Sequence, residues 1–297
     1  MPLVPGEVLE LAELQHRVAS PWHDRIVNPS EAKAARAAVF DRSAATYEQV
    51  GPRFFGPFGH LLVERARIRP GDRILDVGCG RGHVLFPAAE ATGPGGSVVG
   101  IDLAPAMVSL TAEAAADLPH VTVALGDAAA PDFPDDEFDL ILAGLVIFFL
   151  PEPDQALLEY RRLLRPGGRL AFSTFGRRDP VFEQAVKTLG SFVAPRPGGN
   201  PPERPADRFR DRASHLDLLA DWSGIEITEH TLETRFTGPQ QWWEWIQSHG
   251  VRRIVELLPA DRLREAKAAA FDVMEAARTT DGDLAIRTEL RVTTAHP

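Results

Sequence analysis

The stretch that decides the fold is Ile74-Leu75-Asp76-Val77-Gly78-Cys79-Gly80-Arg81-Gly82. A short, mostly apolar run is followed at once by glycines at alternate positions, which is typical of a buried strand that ends in a tight turn. Glycine lets the backbone approach a ligand closely, and the helix expected after the turn presents unpaired amides at its N-terminus. The stretch therefore predicts a strand–turn–helix ligand site.

The spacing of these glycines excludes two common phosphate sites. They stand at positions 78, 80 and 82, whereas a dinucleotide fingerprint needs offsets of zero, two and five, and a P-loop needs a Lys-Ser/Thr pair. Asp76, at the strand end, would repel a diphosphate and attract an ammonium or sulfonium group. The turn is therefore expected to hold a cationic ligand.

Strands and helices alternate on both sides of this turn. The predicted strands are Arg73–Val77, Ser97–Ile101, Val121–Leu125, Phe138–Ile147 and Arg169–Thr174, and the predicted helices between them are Val84–Thr92, Pro105–Asp117 and Gln155–Leu164. This order indicates an α/β protein with a doubly wound parallel sheet. Two later strands, Ile225–Phe236 and Leu284–Thr293, enclose a helical stretch, Gln240–Ala277, that is interrupted at Pro259. They predict an edge hairpin interrupted by a cap.

Two further acidic residues follow the strands next to the glycine turn. Asp102 follows the second strand, where a carboxylate can accept both hydroxyls of a ribose, and Asp127 follows the third, where it could accept from the exocyclic amine of adenine. A single aspartate in such a place is usually a helix cap or a turn former. Three of them in register with the glycines favour a nucleoside site.

The chain resembles the class I S-adenosylmethionine-dependent methyltransferases, and within them the small-molecule branch that includes the ubiquinone and menaquinone C-methyltransferases. The motifs that carry the resemblance are LDVGCGRG (75–82), VVGIDLAPAMV (98–108), GDAAAPDFPDDEFDLI (126–141) and LLRPGGRLAFSTF (163–175). The resemblance implies a Rossmann-like, mostly parallel seven-stranded sheet with an antiparallel last strand and a helical cap. The pattern of predicted elements divides the chain into an N-terminal helical arm or lid at 1–60, a cofactor-binding core at 61–180, and a remainder at 181–297 with the last strands and a helical substrate cap, inserted at about 238–280.

The cofactor implied by this resemblance is S-adenosylmethionine. Asp76, Gly78 and Gly80 would hold its methionine part, and Asp102 its ribose. The other implied contacts are Leu103, Met107, Asp127 and Ala128 at the adenine, Ala143 at the methionine end, and Tyr47 closing over the cofactor. Met107 could instead be a plain core residue, although the adenine contact is slightly favoured, and Cys79 is expected to be a small filler.

The acceptor should bind outside these motifs. Some relatives place a histidine after the fourth strand, but this chain has Phe148 and Phe149 there, which predicts an apolar wall and leaves the base unassigned. Trp242, Trp245 and His249 share one helical face, which could line a pocket or pack on the sheet. Trp22, on the arm, is the other expected pocket residue, and His249 and His230 are the candidate bases.

Composition excludes several partners. The formal net charge of the 297 residues is −10, which disfavours nucleic acid as a substrate. No metal site is expected, since the nine histidines are scattered, and the acid-rich Asp132–Glu137 fits a solvated turn better than a magnesium site. The single cysteine fits a reducing, cytoplasmic compartment, and neither a secretory leader nor a membrane span is expected.

These features predict a monomeric or homodimeric methyltransferase that acts on a small or medium hydrophobic acceptor, in secondary-metabolite or quinone-like biosynthesis. The alternative is a protein of the same fold that keeps the cofactor as a scaffold for a non-methylating cyclisation or rearrangement.

Overall fold

The computed structural model describes residues 29–193, 208–209 and 211–297, and seven strands in these ranges form one sheet in the order β3-β2-β1-β4-β5-β7-β6. The strands are β1 Arg73–Val77, β2 Ser97–Asp102, β3 Val121–Leu125, β4 Phe138–Gly144, β5 Leu164–Phe175, β6 Ser223–Phe236 and β7 Leu284–His296. Strands β1 to β5 pair in parallel, and β7 is antiparallel to both β5 and β6. The predicted mostly parallel sheet with an antiparallel last strand is confirmed.

Helices cover both faces of this sheet. They are α1 Pro29–Ser43, α2 Phe55–Ala66, α3 Leu85–Thr92, α4 Pro105–Ala114, α5 Pro153–Leu163, α6 Pro180–Ser191, α7 Arg212–Leu218, α8 Pro239–Gln247, α9 Arg252–Glu256 and α10 Leu263–Met274, with 3₁₀ turns at Ile147–Phe149 and Glu275–Ala277. Parallel strands need helical crossovers on both faces, which accounts for the burial of β1 and β4: every residue of β1 except Arg73 and every residue of β4 except Gly144 is buried.

The sheet fixes where a ligand can bind. β1 lies in the centre, between β2 and β4, so the chain order reverses there and leaves a crevice at the carboxyl ends of the strands. Asp76 pairs in register with Gly100 of β2, and Asp102 with Leu125 of β3. The crevice therefore opens between the glycine turn after β1 and the acidic end of β2.

Helix α2 begins at Phe55, whereas the sequence, with turn-forming residues at 51–59, predicts a helix that starts at about His60. The stretch before His60 contains turn-forming glycines and prolines, which concealed the helix start. Glu48 stabilises this helix start, because its carboxylate accepts hydrogen bonds from the backbone amides of Phe54 (2.6 Å) and Gly56 (3.0 Å). A distant carboxylate thus caps the first turn of α2.

The helical insertion between β6 and β7 consists of three helices, α8 to α10. Its aromatic residues are mostly core: Trp242 and Trp245 are fully buried together with Phe236 of β6. Trp245 also meets Phe54, ahead of α2, at a ring-centroid distance of 5.1 Å. The cap is therefore continuous with the hydrophobic core on that face of the sheet.

No helix in the described ranges is at once long and apolar enough to cross a membrane.

Candidate functional site

The glycine turn after β1 is open at one position. Gly78, Gly80 and Gly82 all have positive φ, of 69°, 50° and 81°. A Cβ added at Gly78 would lie 2.5 Å from a methyl group of Val146, whereas a Cβ added at Gly80 would meet nothing within 4 Å. A side chain at position 78 would therefore strain the backbone and collide with Val146, which explains the glycine there. The space next to Gly80 is free for a ligand.

Asp102 shapes this turn from the end of β2. Its two carboxylate oxygens accept hydrogen bonds from the backbone amides of Gly80 (2.9 Å) and Ala104 (2.9 Å). Burial raises the pKa of Asp102, and these backbone donors oppose the rise. The carboxylate thus holds the glycine turn against the start of α4 while it stays at the crevice.

Asp76 has no such partners. Its side chain is 1% exposed, and neither of its oxygens has a hydrogen bond of normal distance and angle from a described residue, although the backbone amide of Leu85 approaches the carboxylate. Burial raises its pKa well above the ordinary value, the nearby charge of Asp102 adds to the rise, and the backbone amide of Leu85 opposes it without offsetting it. A buried carboxylate without donors is costly unless a cation joins it.

These two observations fit the cofactor that the sequence predicted. The ammonium group of S-adenosylmethionine would supply the missing partner of Asp76, and the open space at Gly80 would admit its methionine backbone. Cys79, between the glycines, is buried. Burial raises the pKa of its thiol well above the ordinary range, and the charges of Asp76 and Asp102 raise it further. That thiol is a poor nucleophile.

Tyr47, which the resemblance places over the cofactor, packs among rings beside the glycine turn. Its ring stacks on Phe55 at a centroid distance of 4.8 Å and lies near His83 at 6.1 Å. Burial raises the pKa of its hydroxyl well above the usual value, and the charges of Glu48 and Asp102 raise it further. The structure thus brings Tyr47 within electrostatic reach of the predicted ribose-binding carboxylate.

Asp127 follows β3, and the structure gives it a partner that the sequence did not predict. One carboxylate oxygen accepts from the amide of Ala129 (3.0 Å), and the other forms an ion pair with Lys33 of α1. Ala128 is buried beside it, and its carbonyl accepts a hydrogen bond from the Tyr160 hydroxyl (2.6 Å). Lys33 therefore binds the carboxylate that was predicted to face adenine.

Helix α1 also covers the other predicted adenine contacts. Met107 is 1% exposed and packs against Phe40 and Ala44 of the arm. Leu103 and Lys33 line an open groove of about 470 Å³ between α1 and the start of α4. Ala143, the methionine-end prediction, is fully buried near the end of β4.

The predicted acceptor wall is a connected set of aromatic rings. Phe148 and Phe149 form part of the 3₁₀ turn just after β4, and the Phe148 ring lies 5.7 Å from Phe175 at the end of β5. His249 lies 4.2 Å from the Trp245 ring and 5.7 Å from that of Phe55. We call Phe148, Phe149 and Phe175 the aromatic floor. Trp22 lies outside the described residues.

Only one of the two candidate bases lies near this floor. His249 is buried, and burial together with the charge of Arg178 lowers its pKa to about 3. His230 lies on the edge strand β6, where its Nε2 meets the Thr228 hydroxyl at 3.0 Å. It is separated from Phe175 by strand β7, through the pairs His230–Leu290 and Leu290–Phe175. Trp242, by contrast, is fully buried in the core.

Two residues near the site, Glu48 and Lys33, were not predicted from the sequence. Glu48, which caps α2, also faces the ring of His83 (3.2 Å from Oε2 to Nε2). His83 directly follows the glycine turn, so its proximity to the site could have been inferred. The position of Lys33 could not be predicted, because the sequence of a helical arm does not specify which strand end the arm covers. Within the described part of the chain, no three potential metal ligands cluster.

Comparison with known proteins agrees with this geometry. Residues 75–172 match the family model described as a methyltransferase domain. The nocamycin O-methyltransferase of Saccharothrix syringae is 37% identical over 252 residues, which is 78% of this chain and 87% of that protein. A 2-phytyl-1,4-naphtoquinone methyltransferase of Synechococcus elongatus is 34% identical over 53% of this chain and 71% of its own length.

The fold has solved counterparts as well. The YcgJ protein of Bacillus subtilis superposes with a TM-score of 0.53 at 17% identity, over 80% of this chain and 97% of that one. A likeness at such low identity speaks for the fold alone, whereas the sequence matches extend to the cofactor motifs. The chain is a methyltransferase enzyme with S-adenosylmethionine as its cofactor, and it belongs to the class I S-adenosylmethionine-dependent methyltransferases.

Proposed function

We propose that the methyl group is transferred to a small or medium apolar acceptor held between the aromatic floor and the cap residues Trp245 and His249. The floor lies directly after β4, the strand whose end, at Ala143, is predicted to face the methionine part of the cofactor. An acceptor seated there would be held close to the sulfonium. Alignment and exclusion of water are the main requirements for this transfer.

We assign the cofactor contacts as the sequence predicted them. Asp76 binds the ammonium group, Gly78 and Gly80 admit the methionine backbone, and Asp102 accepts from the ribose. The remaining contacts in this assignment are Tyr47, Leu103, Met107, Asp127, Ala128 and Ala143. When bound, the cofactor supplies an activated methyl group, and these residues position it.

The observation that carries the acceptor assignment is the series of ring contacts from the floor to the cap. Phe175 faces Phe54 (6.2 Å), and Phe54 faces Trp245 (5.1 Å), so side chains from three separate parts of the fold meet beside the crevice. Aromatic walls of this kind bind planar apolar molecules. The names of the two relatives, nocamycin O-methyltransferase and 2-phytyl-1,4-naphtoquinone methyltransferase, favour such an acceptor.

A binding experiment tests the acceptor site. The protein is saturated with S-adenosylhomocysteine and titrated with naphthamide, an uncharged planar probe, while tryptophan fluorescence is recorded. We expect saturable binding that weakens about tenfold in Phe149→Ala and is unchanged in Leu158→Ala, whose residue is exposed (55%). Absence of saturable binding, or equal binding by both variants, would refute the site.

A labelling experiment tests the reaction. With methyl-labelled cofactor and an organic extract of the cells that carry this gene, the label should move into an extractable small molecule. Conversion of an extract component without uptake of label would instead support the non-methylating alternative.

We also propose that the enzyme is cytoplasmic and monomeric or homodimeric, and that its chain divides functionally into an arm (1–60), a cofactor core (61–180) and a cap-bearing part (181–297). The buried, single Cys79 supports a reducing compartment. Light scattering of the purified protein tests the oligomeric state.

A further inference from the structure

Glu48 adopts a backbone conformation that its residue type rarely takes. Its φ is 55°, in the left-handed region, where a side chain crowds the backbone and glycine is preferred. Strained residues of this kind persist only where surrounding contacts hold them, and they cluster at functional sites. Glu48 directly follows Tyr47, the residue assigned above to the cofactor. Contacts of the Glu48 side chain are therefore expected to offset the strain.

The carboxylate of Glu48 joins the first turn of α2 to His83, which lies just before α3. Oε1 accepts hydrogen bonds from the backbone amides of Phe54 (2.6 Å) and Gly56 (3.0 Å). Oε2 lies 3.2 Å from Nε2 of His83, within ion-pair distance but without the alignment of a hydrogen bond. A Cβ added at Gly56 would lie 3.5 Å from Oε2 of Glu48 and 3.9 Å from Nδ1 of His83. The three groups thus converge at one point, where only 5% of the Glu48 side chain is exposed.

The ring of Tyr47 packs against the same two parts of the fold. It is nearly parallel to the rings of Phe55 (20° at 4.8 Å) and His83 (29° at 6.1 Å). The backbone amide of Phe55 also donates to Oε1 of Glu48. The residues whose rings contact Tyr47 are therefore the residues that the carboxylate of its neighbour contacts.

We propose that Glu48 is a positioning residue for the cofactor: its carboxylate holds the first turn of α2 beside His83 and so fixes the ring of Tyr47 next to the glycine turn. This inference rests on the assignment of Tyr47 to the cofactor in the proposed function. Tyr47 contacts the ligand, and Glu48 acts through Tyr47. A ring that is ordered before the ligand arrives loses less conformational entropy on binding, which raises the affinity.

A simple helix cap would behave differently from a positioning residue. A carboxylate that only stabilised α2 would lower the melting temperature when removed, and its effect on cofactor affinity would be independent of Tyr47. A residue that acts through Tyr47 loses its effect once the tyrosine ring is gone, because residues of one unit are not additive. A double-mutant cycle therefore separates the two roles.

The test is titration calorimetry with S-adenosylhomocysteine on four full-length proteins: wild type, Tyr47→Ala, Glu48→Gly and the double variant. Glycine accepts the φ of 55° without strain, so Glu48→Gly removes the side chain and keeps the backbone conformation accessible. We expect each single change to weaken binding about tenfold. The double variant should also lose about tenfold, whereas independent contributions would multiply to about a hundredfold.

Three further variants serve as controls. Glu48→Gln keeps an oxygen that can accept from the amides of α2, so it should retain more affinity than Glu48→Gly, with a loss of about threefold. Ala66→Gly destabilises α2 at its opposite end, and it should lower the melting temperature and leave the affinity unchanged. Glu90→Gln removes an exposed carboxylate from α3 and should change neither quantity.

The possible outcomes separate this inference from the assignment on which it rests. Wild-type affinity in Glu48→Gly, or multiplied losses in the double variant, would overturn the positioning role of Glu48 and leave the Tyr47 contact standing. A loss of affinity in Ala66→Gly equal to that in Glu48→Gly would show that helix stability alone is responsible, and would overturn the role as well. Wild-type affinity in Tyr47→Ala would overturn the Tyr47 contact itself and this inference with it.

Discussion

Asp76, which is buried, and Asp102, which is half-buried, are carboxylates at the ends of adjacent strands, and only Asp102 has hydrogen-bond partners within the described chain. Asp102 accepts two backbone hydrogen bonds at 2.9 Å, whereas Asp76 accepts none from the described residues. Both charges face the same glycine turn, and that of Asp102 adds to burial in raising the pKa of Asp76. Without a ligand, the Asp76 carboxylate therefore lacks a partner, and a cationic ligand would neutralise it.

The first prediction concerns Asp76→Asn in the cofactor-free protein. Because the folded-state pKa of Asp76 is raised above its unfolded value of about 4, the native state binds the extra proton. The Asp76 contribution to stability is therefore lost as the pH rises from about 4 through the folded-state pKa. The asparagine variant should be more stable than wild type at the upper end of this window, while its binding of S-adenosylhomocysteine is lost.

Thermal melts between pH 5 and 8, paired with isothermal titration, measure both effects. Asp261→Asn, at an exposed position in the cap, is the matched control and should reproduce the wild-type pH dependence. Parallel pH profiles for Asp76→Asn and wild type would contradict the assignment.

The second prediction concerns Asp102→Ala. The change removes the acceptor for the ribose, and it also releases the amides of Gly80 and Ala104. We expect the affinity for S-adenosylhomocysteine to fall by about 1–3 kcal/mol, the usual effect of leaving buried polar groups unpaired. Titration calorimetry measures it, and an affinity equal to that of Asp261→Ala would remove Asp102 from the site.

The third prediction contrasts two glycines of one turn. Both have positive φ, so alanine strains either position by about 1–2 kcal/mol. Alanine at Gly78 additionally collides with Val146, whereas at Gly80 it projects into open space. Gly78→Ala should therefore lower the melting temperature more, and Gly80→Ala should cost more cofactor affinity relative to its loss of stability. The reverse order in melts and titrations would mean that the ligand does not lie at Gly80.

The sheet was predictable from the sequence because parallel strands buried on both faces are continuously apolar, as in Leu140–Ala143. The start of α2 was not, since it depends on a carboxylate from Glu48 that is distant from the helix. The predicted strand from Phe138 to Ile147 ends earlier, at Gly144, because Leu145 adopts a positive φ of 55°. Local patterns thus located the elements, and long-range contacts fixed their ends.

The same distinction applies to the site. The three aspartates lie at or just after the ends of their strands, and sequence alone locates strand ends. Which groups face them depends on tertiary packing, and so the ion pair of Lys33 with Asp127 could not be predicted from the sequence. Functional residues that come from the arm and from the cap can be identified only when the fold is known.

The fourth prediction concerns that ion pair. Lys33 binds the carboxylate proposed for the adenine amine, so cofactor and lysine compete for Asp127. Lys33→Ala should tighten binding of S-adenosylhomocysteine by about two- to tenfold, within the range of a partly exposed ion pair. Lys33→Arg retains the pair and should behave as wild type. Weaker binding by the alanine variant in calorimetry would show that Lys33 supports the cofactor instead.

The fifth prediction concerns His249, whose pKa is lowered to about 3 by burial and by the charge of Arg178. An unfolded histidine binds a proton below about pH 6.5, so between pH 6.5 and 3 the unfolded state binds more protons and the stability contributed by His249 is lost as the pH falls. His249→Phe should therefore lose less stability between pH 7 and 5 than wild type, as measured by urea unfolding at each pH. His230→Gln, on the edge strand, should keep the wild-type slope. The rate of labelled methyl transfer by His249→Phe then tests the chemistry, because a histidine with so low a pKa is a weak proton acceptor. Transfer should persist in this variant without a new dependence on alkaline pH, and a loss of more than about a hundredfold in rate without a loss of acceptor binding would assign His249 the role of base.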